Sequence, residues 1–160
     1  MQAINIHEAR FELEGSEPAG FGTGEANAVR ALGAEQVTVR LYEAPPGQAI
    51  CPYHYEYKEE WLLVVTGAPA LRDPDGEHPL RAGDLVRFPL GPAGAHQVIN
   101  RGAEPARVLM WSDHSWPEVC VYPDSDKIAA FLPDEHARDE VLVRRAHATV
   151  PYWEGESAPD

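Results

Sequence analysis

The chain has 160 residues, of which 44% are hydrophobic and 24% are charged, so it can bury a core and is not disordered throughout. Its 26 acidic residues outnumber its 13 basic ones and give a net charge of −13, which disfavours nucleic acid and anionic membrane surfaces as partners. The sequence shows no leader-like or membrane-spanning apolar segment and has only two cysteines, Cys51 and Cys120, so we expect a cytoplasmic protein. A single disulfide between these two cysteines remains an alternative.

The sequence is predicted to form a single domain in three parts. Residues 1–35 form an N-terminal arm, because much of this segment is rich in Gly, Ala and Glu and shows little hydrophobic periodicity. Residues 36–113 form the core, and residues 114–160 form a C-terminal extension that packs on it. In the extension, the segment "DKIAAFL" fits either a helical turn or a strand.

Short strands joined by turns are predicted throughout the core, because prolines and glycines break it into brief apolar segments. One hairpin is expected to turn at Pro74-Asp75-Gly76, a combination that favours tight turns. A second is expected between residues 50–56 and 60–66. The remaining strands are predicted in "VTVRLYEA", "DLVRF", "HQVINRG" and "ARVLMWSD". Such a series indicates an antiparallel sandwich or barrel.

Two of these strands are apolar on both faces. A strand with one face in water would carry polar residues on that face. In "EWLLVVT", Leu62 and Val64 alternate with Trp61 and Leu63, and "VLMW" shows the same pattern. The terminal arms or a second subunit must therefore cover the outer face, and we expect a homodimer. By the same alternation, five side chains are predicted to line the interior and to restrict it to a small substrate: Val39, Leu62, Val64, Val98 and Met110.

Two glycine-flanked segments carry the chemistry-bearing residues: "GQAICPYHYEYKEEWLLVVTG" (47–67) and "GDLVRFPLGPAGAHQVIN" (83–100). They resemble the two motifs of the cupin superfamily. The first motif has a glycine, His-x-His, a glutamate three or four residues on and a second glycine; the second has a glycine, Pro-x-Gly, a histidine and an asparagine. The matching positions are Gly47, His54, Glu60, Gly67, Gly83, Pro89, Gly91, His96 and Asn100.

The segments depart from the family pattern at three points. Glu56 stands where the first motif has its second histidine, His96 lies two residues further from Gly91, and the spacing from Gly47 to His54 is one residue longer. A bulge at Pro52 could absorb the extra residue, and only such a bulge would bring Cys51 towards the ligands. The resemblance implies an all-β jelly-roll barrel, a double-stranded β-helix, with short flanking arms and little helix.

Four side chains are the candidate metal ligands: His54, Glu56, Glu60 and His96. His54 and Glu56 lie two apart and share a strand face, Glu60 begins the next strand, and His96 opens a later one. Two imidazoles and two carboxylates suit one divalent ion of Mn, Fe, Zn or Ni, and the second carboxylate favours Mn or Fe. Glu56 could instead remain a free base, or could pair with an inward-facing arginine in a barrel without metal.

The resemblance implies a small-molecule metalloenzyme of the oxygenase, isomerase or decarboxylase type, acting on a small polar or anionic metabolite. Because this architecture supports many chemistries, two alternatives stay open. One is a metal-free isomerase that uses histidine acid–base chemistry. The other is a non-catalytic cupin that binds a sugar or an acid.

Overall fold

The computed structural model describes residues 2–13, 15–27 and 32–156, and this part of the chain folds as antiparallel strands with short 3₁₀ helices. In chain order the strands are β1 (Gly24–Asn27), β2 (Val37–Ala44), β3 (Tyr55–Glu56), β4 (Glu60–Thr66), β5 (Ala70–Asp73), β6 (Gly76–Pro79), β7 (Leu85–Phe88), β8 (Gln97–Ile99), β9 (Ala106–Asp113), β10 (Glu118–Tyr122), β11 (Lys127–Phe131) and β12 (Val141–Arg144). The 3₁₀ helices are Pro92–Gly94, Pro123–Ser125, Asp134–Asp139 and Arg145–His147. Within the described ranges, no helix has the length and hydrophobicity that crossing a membrane requires.

One wall of the molecule is a five-stranded sheet in the order β1-β2-β9-β4-β7. Strand β9 lies at its centre and pairs along its whole length with β2, from Val37 opposite Asp113 to Ala44 opposite Ala106. Its boundaries are those predicted for "ARVLMWSD". The alternating side chains of β4 and β9 therefore present one apolar face to the interior of the fold and one to the outside.

The facing wall consists of two smaller sheets, β12-β11-β10-β3 and β6-β5-β8. The segment before β3 joins them, because His54 forms an antiparallel bridge with His96 and Ala49 forms one with Ile99. Buried apolar side chains from both walls pack between them, and the largest cluster contains Leu62, Val64, Leu71, Phe88, Val98, Val108 and Met110. The predicted all-β jelly-roll barrel with little helix is confirmed.

The predicted hairpin between residues 50–56 and 60–66 is wrong. Strand β3 pairs with β10, whereas β4 pairs with β7 and β9 on the opposite wall. Residues 57–59 therefore cross from one wall to the other instead of reversing within one sheet. The β5–β6 hairpin is confirmed, with the Asp73 carboxylate accepting hydrogen bonds from the backbone N–H groups of Asp75 and Gly76 at its turn.

Both terminal segments contribute strands to the sheets. Strand β1, within the predicted arm, adds to the edge of β2, and "DKIAAFL" contains a strand, β11. The extension supplies β10, β11 and β12, and β10 pairs directly with β3. Part of one wall of the interior is thus built from residues far beyond the motif region.

The outer face of the five-stranded sheet is only partly covered. Trp61 and Trp111 stack on this face with ring centroids 6.0 Å apart and an interplanar angle of 7°. The N-terminal arm reaches the same sheet, because the Arg107 guanidinium lies over the Phe11 ring. Leu85, at the edge formed by β7, nevertheless remains 58% exposed.

Candidate metal centre and its cavity

A cavity of about 420 Å³ opens between the two walls at the end that holds the motif residues. Strands β2, β4 and β9 supply one side of its lining, with Arg40, Glu60 and Met110 among the residues, and β3 and β10 supply the other, with Glu56 and Glu118. Its size falls in the range of small-molecule sites, roughly 300–1,000 Å³.

Val39 does not line this cavity, contrary to the sequence prediction. Val39 lies opposite Trp111, and both side chains are on the outer face of the sheet. Its neighbour Arg40 lies opposite Met110, and both of these line the cavity. The other four predicted interior residues are buried, but only Met110 lines the cavity, whereas Leu62, Val64 and Val98 pack in the core cluster. The error arises because strand alternation fixes which residues share a face but not which face is inside.

Three of the four candidate ligands converge at the base of the cavity. The His54 Nε2 atom lies 3.9 Å from a Glu60 carboxylate oxygen, and the His96 Nε2 atom lies 3.8 Å from the same oxygen. The two imidazole rings have centroids 4.7 Å apart. Glu60 reaches this point from β4, across the interior from the strands that carry both histidines.

Hydrogen bonds to the backbone orient both imidazoles. The Nδ1 atom of His54 lies 3.0 Å from the Pro52 carbonyl oxygen, and that of His96 lies 2.9 Å from the Gly94 carbonyl oxygen. A carbonyl only accepts, so each Nδ1 carries the proton and donates it. Each Nε2 atom is therefore left unprotonated and lies within 4 Å of a Glu60 oxygen, an arrangement typical of metal-ligating histidines.

His96 is held rigidly and kept neutral. Its ring stacks on Phe88 at a centroid distance of 3.6 Å, and its backbone exchanges hydrogen bonds of 2.8 and 3.1 Å with that of His54. Burial, with a smaller contribution from the neighbouring His54, lowers the pKa of His96 to about 3. Burial likewise lowers the pKa of His54. Both rings are thus neutral bases near pH 7.

The carboxylates are held in an environment that opposes their charge. Burial, followed by repulsion from Glu56 and Glu118, raises the pKa of Glu60 to about 8. Burial and the charge of Glu118 raise the pKa of Glu56 to about 7. A cation among these groups would offset both the burial and the mutual repulsion.

Glu56 lies beside the three converging ligands and belongs to a second group. One of its oxygens is 3.8 Å from His54 Nε2, and the same oxygen accepts a hydrogen bond of 3.2 Å from the Cys120 thiol. The second group consists of Glu56, Glu118 and Cys120. Beside it, the Lys58 ammonium donates a hydrogen bond of 2.7 Å to the Glu118 carboxylate. The sequence analysis missed Lys58, Glu118 and Cys120 as part of the site. Glu118 lies 60 positions beyond Lys58 and Cys120 lies 64 positions beyond Glu56, so no local pattern connects them.

Cys51 lies closer to the site than its strand parity predicted. Its thiol is 3.5 Å from His54 Nδ1, because residues 50–53 do not continue a regular strand. It contacts the side of the ring that faces away from Glu60. Both cysteines are free thiols. Among the described residues, Glu56 makes no ion pair with an arginine, so the pairing considered from the sequence is not formed.

The donor set at the base of the cavity fits a divalent metal ion. In the part of the chain that the structure describes, the buried His96 Nε2 atom has no hydrogen-bond partner. The separations of 3.8 and 3.9 Å are shorter than two metal–ligand bonds of about 2.1 Å each, so one ion can contact both atoms of a pair. Two neutral imidazoles and a carboxylate suit Mn, Fe, Zn or Ni.

Comparisons with known proteins agree with the fold. A family model described as "Cupin domain" matches residues 40–112. A sugar phosphate isomerase structure from Silicibacter pomeroyi is 24% identical with a TM-score of 0.79, covering 94% of this chain and 98% of its own. A candidate sugar phosphate isomerase from Acidithiobacillus ferrooxidans is also 24% identical, with a TM-score of 0.80 and coverages of 94% and 95%.

A more distant structure, the polyketide cyclase RemF from Streptomyces resistomycificus, is 20% identical with a TM-score of 0.61 and covers 74% of this chain and 83% of its own. A comparison with curated protein sequences gives no significant match. At these identities the structural similarities establish the fold and leave the chemistry to be argued from the site itself.

Proposed function

The chain belongs to the cupin superfamily, and we propose that it binds one divalent metal ion through His54, Glu60 and His96 and acts on a small polar or anionic metabolite. The observation that carries this proposal is the approach of both Nε2 atoms to one Glu60 carboxylate oxygen, at 3.9 and 3.8 Å. Among the described residues, the buried His96 Nε2 atom has no hydrogen-bond partner. A buried polar atom left unpaired is costly, so a ligand at this nitrogen would relieve that cost.

Glu56 has the position of a fourth ligand or of an acid–base group beside the ion. The Cys120 thiol fixes the oxygen nearest His54, and the Lys58–Glu118 pair borders the same carboxyl. When bound, the ion would supply Lewis-acid polarisation of a substrate oxygen. The Glu56 carboxyl, 3.8 Å from His54 Nε2, would lie beside the ion, where it can take a proton from the substrate or return one.

Among the reaction types, isomerisation receives the most support. The S. pomeroyi structure that matches this chain over 98% of its own length is named a sugar phosphate isomerase. Moving a hydrogen between adjacent carbons of a sugar needs a base and a polarised carbonyl, which Glu56 and the proposed ion would provide. Manganese, iron, zinc and nickel all suit the donor set, and the carboxylates favour manganese or iron.

We also propose a homodimer formed through the outer face of the five-stranded sheet. The stacked Trp61 and Trp111 and the exposed Leu85 form an apolar surface that the N-terminal arm covers only in part. Light scattering should then give twice the chain mass, and Leu85→Glu should shift it towards the monomer. Leu142→Glu, a change at an equally exposed residue of β12, should leave the mass unchanged. A wild-type monomer at micromolar concentration would contradict the dimer.

Metal content tests the central proposal. Protein purified without an affinity tag and incubated with manganese, then freed of excess metal, should hold close to one ion per chain by elemental mass spectrometry. Glu60→Gln should lower this content strongly, and His78→Ala, on an exposed histidine of β6, should not. No retained ion with any of the four metals would overturn the proposal and leave the metal-free isomerase or the binding module.

A further inference from the structure

Arg40 stands out among the residues that line the cavity. It is the one basic residue of that lining within the described part of the chain, whereas four glutamates, Glu56, Glu60, Glu118 and Glu140, line the same space. Its side chain is 47% exposed, so the guanidinium borders the cavity in contact with solvent and can donate to an acceptor that enters there.

The sheet register fixes where Arg40 lies relative to the candidate metal ligands. Arg40 on β2 is opposite Met110 on β9, which is opposite Leu62 on β4, two residues beyond Glu60. With strands about 4.8 Å apart and about 3.4 Å per residue, the Arg40 and Glu60 Cα atoms are roughly 12 Å apart on the same face. The guanidinium and the metal ligands therefore border one small cavity from well-separated backbone positions.

The guanidinium of Arg40 is not matched by a close acceptor. Its Nη1 atom donates a long hydrogen bond of 3.4 Å to the Tyr42 hydroxyl oxygen and lies 3.8 Å from a Glu25 carboxylate oxygen, beyond hydrogen-bond distance. Its side chain makes no other hydrogen bond or ion pair with the described residues. Arginine carries five N–H donors in a planar fork that matches a carboxylate or phosphate, so most of them remain available to a ligand.

The charge of Arg40 already acts on the site, because it contributes to lowering the pKa of both Glu56 and Glu60 against the larger effect of burial. This influence agrees with the position of Arg40 and Glu60 on the same face of the sheet. Side chains that face outward, such as Arg87 on β7, pair instead with surface carboxylates: Arg87 Nη1 lies 2.6 Å from Glu59.

We propose that Arg40 is the anchor for an oxyanion, a carboxylate or a phosphate, at one end of the substrate, while the other end faces His54, Glu60 and His96. This inference rests on the proposed function for the chelating end and adds the class of substrate: a short molecule with vicinal oxygens at one end and an oxyanion at the other. Arg40 is then a specificity residue rather than a metal ligand.

Two matched pairs of sugars test this proposal by calorimetry: ribose 5-phosphate against ribose, and glucuronate against glucose. With manganese-incubated wild-type protein, at least one anionic sugar should bind about tenfold or more tightly than its neutral partner, since hydrogen bonds to charged groups are the stronger ones. The pair that shows the preference identifies phosphate or carboxylate as the natural group.

The decisive variant is Arg40→Met, which keeps the length of the aliphatic side chain and removes the donors. It should abolish the preference for the anionic sugar, and Arg40→Lys should restore part of it. The matched control is Arg87→Met, at a residue of similar exposure (51% against 47%) on the outer face, which should keep the full preference.

Failure of the anchor and failure of the proposed function give different results. Arg40→Met should retain the metal content of the wild type, so unchanged metal with an unchanged anion preference would overturn the anchor alone. Absence of binding by both anionic sugars at millimolar concentration would also overturn it. A wild type that takes up no metal but shows an Arg40-dependent anion preference would overturn the metal site and keep the anchor.

Discussion

Replacing Glu60 by Gln should stabilise the metal-free protein and remove its stabilisation by metal. The Glu60 carboxylate accepts no hydrogen bond from the described residues, so an amide of the same shape loses none. The substitution removes the buried negative charge of Glu60, which lies close to that of Glu56. Where Glu60 is protonated instead, the substitution removes the cost of holding that proton. The two effects of one substitution should therefore have opposite signs with and without metal.

The size of the effect follows from the geometry. A Glu56 oxygen and a Glu60 oxygen lie 3.8 and 3.9 Å from the same His54 nitrogen, so they are at most about 7.7 Å apart. At an effective dielectric constant of about 20, two such charges repel by about 2 kcal/mol or more. For a chain of this length that corresponds to a rise in Tm of about 4–8 °C.

Thermal unfolding followed by circular dichroism measures both effects: the Tm with chelator gives the stability of the metal-free protein, and the Tm with manganese gives the stabilisation by metal. A metal present at a hundred times its Kd stabilises the wild type by about 2.7 kcal/mol, and the variant should gain much less. Glu104→Gln, at an exposed glutamate, should stay within about 0.5 kcal/mol of the wild type in both conditions. A chelated variant less stable than the wild type, or equal stabilisation by manganese, would refute the reasoning.

Three further substitutions test the packing around the site. Asn100→Ala removes three short hydrogen bonds to backbone groups from a fully buried side chain and should cost about 2–4 kcal/mol in urea unfolding; a loss below about 0.5 kcal/mol would contradict these bonds. Gly94→Ala places a methyl group against the Pro89 carbonyl oxygen and should lower the urea midpoint, whereas an unchanged midpoint would show that this turn is looser than described. Lys58→Met leaves Glu118 without its cation and should destabilise the protein by about 1–3 kcal/mol; near-wild-type stability at neutral pH would indicate that this pair contributes nothing.

The strands and turns of the core were readable from the sequence where local chemistry decides them. Strand β9 and the hairpin around Asp73 follow from alternation and from turn residues, and both occur as predicted. The pairing of β3 was not readable. Its partner β10 lies about 60 residues away, and adjacency in sequence suggested β4 instead.

Some residues of the candidate site could be predicted from the sequence, and others could not. The cupin motifs singled out His54, Glu60 and His96, and the structure brings these three together. The motifs gave no sign of Glu118 and Cys120, which approach Glu56 only because β10 pairs with β3. Arg40 was likewise hidden, because the choice between it and Val39 as the inward residue depends on the register of β2 against β9.

The most direct test of the central claim is the anomalous scattering of a crystal soaked in manganese. One strong peak should lie in contact with the Nε2 atoms of His54 and His96 and with the Glu60 carboxylate. This peak should disappear in Glu60→Gln crystals. A peak instead among Glu56, Glu118 and Cys120, or no peak in a well-soaked crystal, would contradict the assignment of the metal to the two histidines.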